Sequence, residues 1–227
     1  MKIAYRNIIC FLLFFWIGCH LTFSQSSKSY YYENEFDLNL PVGKKWAMEI
    51  GFGNRGMLQE RMEREKVSGY QHEHLEINHF TKYKSTKLLV VSLGLRYRFK
   101  ELFDPSETDE IRVIEQIEIE PSNFLPALSH RIRLEQRFRE HTIHRIRYEA
   151  EISRSLNEVF SIGAGTEALY AISAQLKPEA EQRFSLGFEN NSFRNLELEI
   201  DIEYRLENYT RDLQHEFFLI TGVSLDL

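Results

Sequence analysis

Charged residues that alternate with apolar ones are the side chains in this sequence best suited to chemistry. Arginine or glutamate holds every second position in residues 131–139 and 145–151, and only carboxylates hold those positions in residues 197–203. Guanidinium and carboxylate groups can neutralise one another as ion pairs, or they can line a path for a small polar solute. Because an unpaired buried charge is costly, we expect some pairing in either arrangement.

The histidines offer fewer routes to chemistry. His72 and His74 lie two residues apart on one predicted strand face and could share a metal ion, but no third ligand lies at a recognisable spacing. Residues 141–144 carry a histidine at each end, and a lipid hydrolase would need a histidine to activate its serine. Ser129 precedes His130, yet neighbours on a strand point to opposite faces. We therefore predict no catalytic residue, no metal ion and no cofactor.

The charged rows belong to segments in which hydrophobicity alternates with a period of two. In residues 196–207, apolar side chains hold every even position and charged side chains hold every odd position. This period puts one set on each face of a β-strand. A tilted strand needs about 9–11 residues to cross a bilayer. Alternating segments recur at about residues 30–40, 46–53, 70–83, 89–99, 111–119, 131–139, 145–152, 160–170, 184–188, 196–206 and 217–227.

These segments predict an all-β fold, an antiparallel up-and-down transmembrane β-barrel. They number about eleven, whereas single-chain bacterial barrels have an even number of strands, so we expect 10 or 12. Either residues 57–64 form a further strand or two segments are one. Residues 134–155 are also rich in helix-forming residues. Their apolar residues recur at intervals of two rather than three or four, which favours strands.

Residues 1–24 predict a secretory signal peptide, in which basic residues precede an apolar run at residues 8–17. The run is about ten residues long, too short for a transmembrane helix, which needs about twenty. Small residues before the boundary predict cleavage after Ser24. A lipoprotein signal that uses Cys19 is the alternative, although Trp16 stands where such signals usually have leucine.

Cleavage after Ser24 would leave residues 25–227 as a single domain without cysteine, because Cys10 and Cys19 lie in the removed segment. Such a domain has no disulfide and no cysteine chemistry. Loss of two basic residues moves the formal net charge from −6 to about −8. An acidic exported chain is a poor candidate for nucleic-acid binding, so we expect no nucleic-acid partner.

A membrane barrel and a soluble β-sandwich or lipocalin-like barrel both have two-faced strands. The membrane barrel is favoured because an arginine on a lipid face would cost about 2–4 kcal/mol, so the arginine rows must face a lumen. The chain also ends on an alternating segment, as outer-membrane barrels do, although Leu227 replaces the usual phenylalanine. Aromatic residues flank many apolar faces, as girdles at a bilayer interface would. These residues are Tyr30, Tyr32, Trp46, Tyr83, Tyr97, Phe99, Tyr170 and Tyr204.

The sequence resembles the outer-membrane β-barrels of Bacteroidota that are grouped only as a domain of unknown function. The similar residues are 23–25 (Phe-Ser-Gln), 44–46 (Lys-Lys-Trp) and 130–138 (His-Arg-Ile-Arg-Leu-Glu-Gln-Arg-Phe), and the resemblance covers most of residues 25–227. It implies a barrel in the bacterial outer membrane, reached through the periplasm. The implied partners are outer-membrane lipids and the barrel assembly machinery. The resemblance implies no activity and transfers no catalytic residue.

We therefore expect a non-enzymatic barrel, either a structural element or a narrow channel for a small polar solute, whose paired charges could plug the lumen. One alternative is a lipid-modifying outer-membrane enzyme. Another is a soluble periplasmic barrel or sandwich that binds a small apolar ligand. The residues expected to line the lumen are Arg96, Arg98, Arg131, Arg133, Glu135, Arg137, Arg145, Arg147, Glu149, Glu197, Glu199, Asp201 and Glu203.

Overall fold

The computed structural model of this protein describes residues 27–62, 65–100, 108–119, 127–209 and 213–227. The predicted signal peptide, residues 1–24, lies outside the described residues. No helix in these ranges is long and apolar enough to span a membrane. The strands are β1 (Lys28–Pro41), β2 (Trp46–Met62), β3 (Glu65–Lys84), β4 (Leu89–Phe99), β5 (Glu110–Ile119), β6 (Ala127–Phe138), β7 (Ile143–Ser155), β8 (Phe160–Ile172), β9 (Glu179–Phe193), β10 (Leu196–Glu207) and β11 (Gln214–Asp226).

In the described residues, eleven strands close into one barrel, and each strand pairs with its neighbours along the chain. Those ten consecutive pairings are antiparallel. The closing pair, β1 with β11, is parallel and runs from Lys28 opposite His215 to Asn39 opposite Asp226. The expected count of 10 or 12 strands is therefore wrong, and so is antiparallel pairing throughout. An odd number of up-and-down strands brings the first and last together in the same direction.

Strands account for both segments that had an alternative assignment. Residues 57–62 form the end of β2 rather than a separate strand, and residues 63–64 lie outside the described part of the chain. Residues 134–155 form the end of β6 and the whole of β7, joined by the turn at residues 139–142. Strand pairing on both sides of β6 and β7 outweighs the helix propensity of their residues.

The barrel buries polar groups and exposes apolar groups, the reverse of an ordinary soluble core. Among the described residues, seventeen polar or charged residues are buried, against nine hydrophobic ones. β4 is typical, because Ser92 is buried whereas Leu93 is 57% exposed. Alternation along the strands therefore separates a mainly polar and ionic inner face from a mainly apolar outer face, on which Glu115 of β5 is an exposed charged residue.

Short hairpins mark one end of the barrel, here called the turn end. They join β1 to β2, β3 to β4, β7 to β8 and β9 to β10. In the last hairpin, Asn195 has a φ of 59°, the left-handed conformation that such a tight turn requires and that asparagine tolerates. The carboxyl terminus lies at this end, where the Leu227 N–H donates to the Asn39 carbonyl at 3.1 Å. β1 begins at the opposite end, here called the loop end.

Candidate functional site

A cavity of about 510 Å³ lies inside the barrel, and charged side chains dominate its lining. Eleven of the thirteen residues predicted from sequence to line the lumen also line this cavity. The other two are Glu135 and Glu197. Glu135 is 1% exposed and lies behind arginine side chains, and Glu197 lies closer to the turn end on β10. The cavity is therefore the candidate site.

Ion pairs link side chains from strand to strand around the lumen. The Arg55 Nη2 atom lies 3.0 Å from Glu33 Oε2, and Glu33 Oε2 lies 3.8 Å from Arg205 Nη2. Further pairs continue this series from β10 through β9, β8, β7 and β6 to β5. We call the connected set the ionic belt. Its members are Arg55, Glu33, Arg205, Glu203, Arg183, Glu181, Glu167, Arg147, Glu135, Arg133, Arg145, Arg112, Glu110, Arg137 and Arg139.

β3 and β4 carry a separate group of ion pairs. Glu76 lies 3.0 Å from Arg96 and 2.7 Å from Arg98 and is 5% exposed. Together with the ionic belt, this group brings charged pairs to each of the strands β1–β10. Such buried pairs are weak evidence for stability, but removing one partner leaves an uncompensated charge.

β11 contributes an aromatic side chain to the lumen at the level of the belt. Phe218 is buried, with the guanidinium carbons of Arg205 and Arg55 lying 3.5 and 4.8 Å from its ring centroid. Its ring also stacks on that of Tyr31 at 4.7 Å. Cation–π contact of this kind offsets part of the desolvation of the two arginines.

The two sides of the cavity carry opposite net charges, although the lining includes Glu149 and Glu151 on the first side and Arg183 and Arg205 on the second. Strands β4–β7 line it with a set of arginines, here called the basic wall. Its members are Arg96, Arg98, Arg112, Arg131, Arg133, Arg137, Arg145 and Arg147. On the other side of the ring of strands, β1, β9 and β10 contribute an acidic wall, made of Glu35, Glu189, Glu199 and Asp201. Opposed walls of this kind set up an electric field across the cavity.

Two glycines make room for the carboxylates. A methyl group on Gly187 would overlap the carboxylate of Asp201, and one on Gly163 would lie 2.8 Å from a Glu151 oxygen. Both glycines face the cavity from neighbouring strands β8 and β9. The absence of side chains at these positions therefore widens the lumen beside the acidic residues.

Several charged residues of the belt were missed by the sequence reasoning. Arg112 and Glu110 alternate with apolar residues on β5, so the same period of two could have identified them. Arg55 is harder to find, since the second predicted segment ends at residue 53, whereas β2 continues to Met62. Glu33 lies within the first predicted segment, so the same period of two could have identified it as well.

A bulge on β3, at Glu73, separates the two histidines that could have shared a metal ion. His74 lies opposite Arg55, whereas His72 lies opposite Gly56, the next residue along β2. Because consecutive strand residues face opposite sides, the two imidazoles lie on opposite faces of the barrel wall. The prediction that they share a face is wrong.

The structure also locates the serines and histidines relevant to a hydrolase. Ser129 and His130 are neighbours on β6, so they face opposite sides of the wall. At the loop end, Ser173 joins His141 and His144 in the lining of a cleft. The Ser173 hydroxyl donates to the Thr142 carbonyl at 2.9 Å, so its proton is used there. This serine beside histidines was not predicted, because it lies on a different hairpin.

The chain matches a known protein family. Residues 34–216 match the family described as "Protein of unknown function (DUF2490)". The chain belongs to this family. The match extends from β1 into β11 and so covers almost the whole barrel, which confirms the expectation of a family of unknown function. Among curated proteins, none matches the chain.

Proposed function

We propose that this protein is a non-enzymatic β-barrel of a bacterial outer membrane whose lumen holds or passes a small polar solute. The observation that supports this proposal is the reversal of the two faces, with apolar side chains outside and ionic side chains inside. Water would favour the opposite arrangement, because exposed apolar surface is unfavourable there. A lipid exterior removes that cost and requires the backbone to be fully paired, as it is in a closed barrel.

The outer face has further features that suit a bilayer. Aromatic side chains gather near both ends of the strands. At the turn end the rings of Trp46 and Tyr83 lie 4.7 Å apart, and at the loop end Phe217 stacks between Tyr30 and Tyr204 at 5.1 and 5.0 Å. Two aromatic girdles separated by apolar side chains are typical of outer-membrane barrels. In this proposal, outer-membrane lipids cover the apolar band, and the barrel assembly machinery inserts the chain.

The lumen sets the size and polarity of what could pass. Barrels of about eight strands are filled by side chains, while those of about sixteen leave a water-filled channel. This barrel lies between the two, and its ionic belt links side chains across the strands. We infer a narrow constriction at the belt beside a polar cavity, which suits a small hydrophilic solute and excludes apolar ones.

A lipid-modifying enzyme is the second candidate, supported by the cleft that contains His141, His144 and Ser173. A nucleophilic serine needs a histidine within hydrogen-bond reach to accept its proton. Ser173 instead donates to a backbone carbonyl. We therefore propose that the cleft is not catalytic, and a hydrolytic activity lost in Ser173→Ala would overturn this.

Gel mobility with and without boiling tests the proposed function first. The full chain is expressed in a bacterium with an outer membrane, and its membrane fractions are compared. We expect the protein in the outer-membrane fraction, with a mobility that changes on boiling because a closed barrel survives detergent when cold. Recovery from the soluble periplasm would overturn the proposal. Reconstituted liposomes then show whether the lumen conducts ions or passes small solutes.

A further inference from the structure

Four arginines surround the carboxylate of Glu135, so one negative charge lies among four positive charges. Its side chain lies within 4.0 Å of four guanidinium groups. They belong to Arg147 (3.4 Å), Arg133 (3.7 Å), Arg112 (3.8 Å) and Arg145 (3.9 Å). Neither carboxylate oxygen accepts a hydrogen bond from a described residue. The negative charge is therefore close to all four groups, but none of them is bound to it with hydrogen-bond geometry.

Two N–H groups of these four arginines have no hydrogen-bond acceptor among the described residues. They are the buried Nε–H groups of Arg145 and Arg147. Arg145 reaches Glu135 only at 3.9 Å. A buried donor without an acceptor is unfavourable, and it is the type of group that a ligand can satisfy.

The cluster presents its positive side to the cavity. Arg112, Arg133, Arg145 and Arg147 all line the cavity, whereas Glu135 does not. The side chain of Glu135 is 0% exposed, so it lies behind the guanidinium groups. A solute in the cavity would therefore meet the arginines and not Glu135. Glu167, which pairs with Arg147 at 3.3 Å, also lines the cavity, so Arg133 and Arg145 are the members of the group with less neutralisation from other carboxylates.

We propose that these four arginines form a binding site for a compact oxyanion, namely phosphate or a small solute that carries a phosphate or carboxylate group. Guanidinium groups bind such oxygens with charge-assisted, often paired hydrogen bonds. The acidic wall on the other side limits how far the negative charge can extend, so the anion is compact. This inference rests on the proposed function, since the oxyanion would be the polar solute in the lumen.

Inorganic phosphate is the probe, titrated calorimetrically into the full-length barrel in a phosphate-free detergent. We expect phosphate to bind, and Arg145→Gln to weaken binding about tenfold or more, because a charge-assisted hydrogen bond is lost. Arg154→Gln is the matched control, since Arg154 lies on the same strand but is exposed. Its affinity should equal that of the unaltered protein. Mobility on unboiled gels shows that each variant has folded.

A second pair of variants separates binding from general damage to the fold. Glu135→Gln removes the internal competitor of the anion and should tighten phosphate binding, opposite in sign to Arg145→Gln. Arg145→Lys keeps the charge and should bind with intermediate affinity. If both Glu135→Gln and Arg145→Gln weakened binding equally, the guanidinium site would be wrong.

The outcomes distinguish this inference from the proposed function. Absence of phosphate binding by a folded, heat-modifiable barrel overturns the oxyanion site and leaves the membrane barrel intact. Phosphate binding by a protein recovered from the periplasm supports the site and overturns the membrane location. Binding of short-chain phosphatidic acid without binding of inorganic phosphate would assign the site to a lipid headgroup and overturn a soluble anion.

Discussion

At the residue scale, a small number of shared carboxylates neutralises many arginines of the lumen. Glu135 lies near four guanidinium groups, and Glu110 pairs with Arg112 and, at 2.5 Å, with Arg137. A carboxylate shared in this way holds several strands together at once. Its loss should therefore destabilise the barrel more than loss of an ordinary surface charge.

Replacing Glu135 by Gln tests that role. The amide has the same shape but no charge, so the neighbouring guanidinium groups lose their common counter-ion. We expect the free energy of unfolding to fall by about 3–5 kcal/mol, the cost of breaking a buried pair from one side. Urea unfolding of the refolded barrel measures it. Glu158→Gln is the control, because Glu158 is exposed in the turn between β7 and β8, and equal midpoints in the two variants would contradict the prediction.

At the scale of elements, the parallel seam between β1 and β11 is the unusual contact. Parallel pairing is slightly less stable per residue than antiparallel pairing, and this seam alone closes the barrel. Side chains reinforce it on the outer face. Thr221 Oγ1 donates to Asn34 Oδ1 at 2.8 Å and lies 3.3 Å from the Tyr32 hydroxyl. The seam is therefore linked both through the backbone and through a polar cluster.

A disulfide across the seam tests its register. Asn34 lies directly opposite Thr221, so cysteines at both positions should form a disulfide in a chain whose Cys10 and Cys19 are serine. The oxidised protein should then unfold only after reduction, as mobility on boiled, non-reducing gels shows. The control pairs cysteine at position 34 with cysteine at Val223, about 8 Å away. Equal cross-linking of both pairs would argue against this register.

At the scale of the whole molecule, the fold and the environment are two separate questions. The closed sheet and its two faces follow from the structure, whereas the outer-membrane location is our proposal. The outer face distinguishes the two environments, because a charge on it is harmless in water and costly in lipid. A substitution on this face therefore reports directly on what surrounds the barrel.

Ile202→Arg on the outer face of β10 provides that report. Ile202 is 59% exposed, lies near the middle of the strand and is paired with the apolar residues Leu186 and Leu219. In a bilayer we expect the arginine to lower the free energy of unfolding by about 2–4 kcal/mol. Val42→Arg in the β1–β2 turn is the control and should change little, since Val42 is 61% exposed at the barrel end. Unfolding in liposomes measures both, and no effect at position 202 would contradict a lipid environment.

The sequence by itself determined the strands and their two faces. A period of two is a local property of the backbone, so charged rows such as residues 197–203 can be assigned to one face without knowing which strand lies beside them. It also allowed about eleven segments to be counted. The rule that bacterial barrels have an even number of strands then led to the wrong total, because it describes the barrels known so far and is not a property of this chain.

Only the tertiary structure decided which groups meet. The parallel closure of β1 on β11 and the bulge that separates His72 from His74 depend on the register between strands. The gathering of four arginines around Glu135 likewise joins side chains from β5, β6 and β7. Register is set by all the pairings of the closed sheet together, and no single segment contains that information.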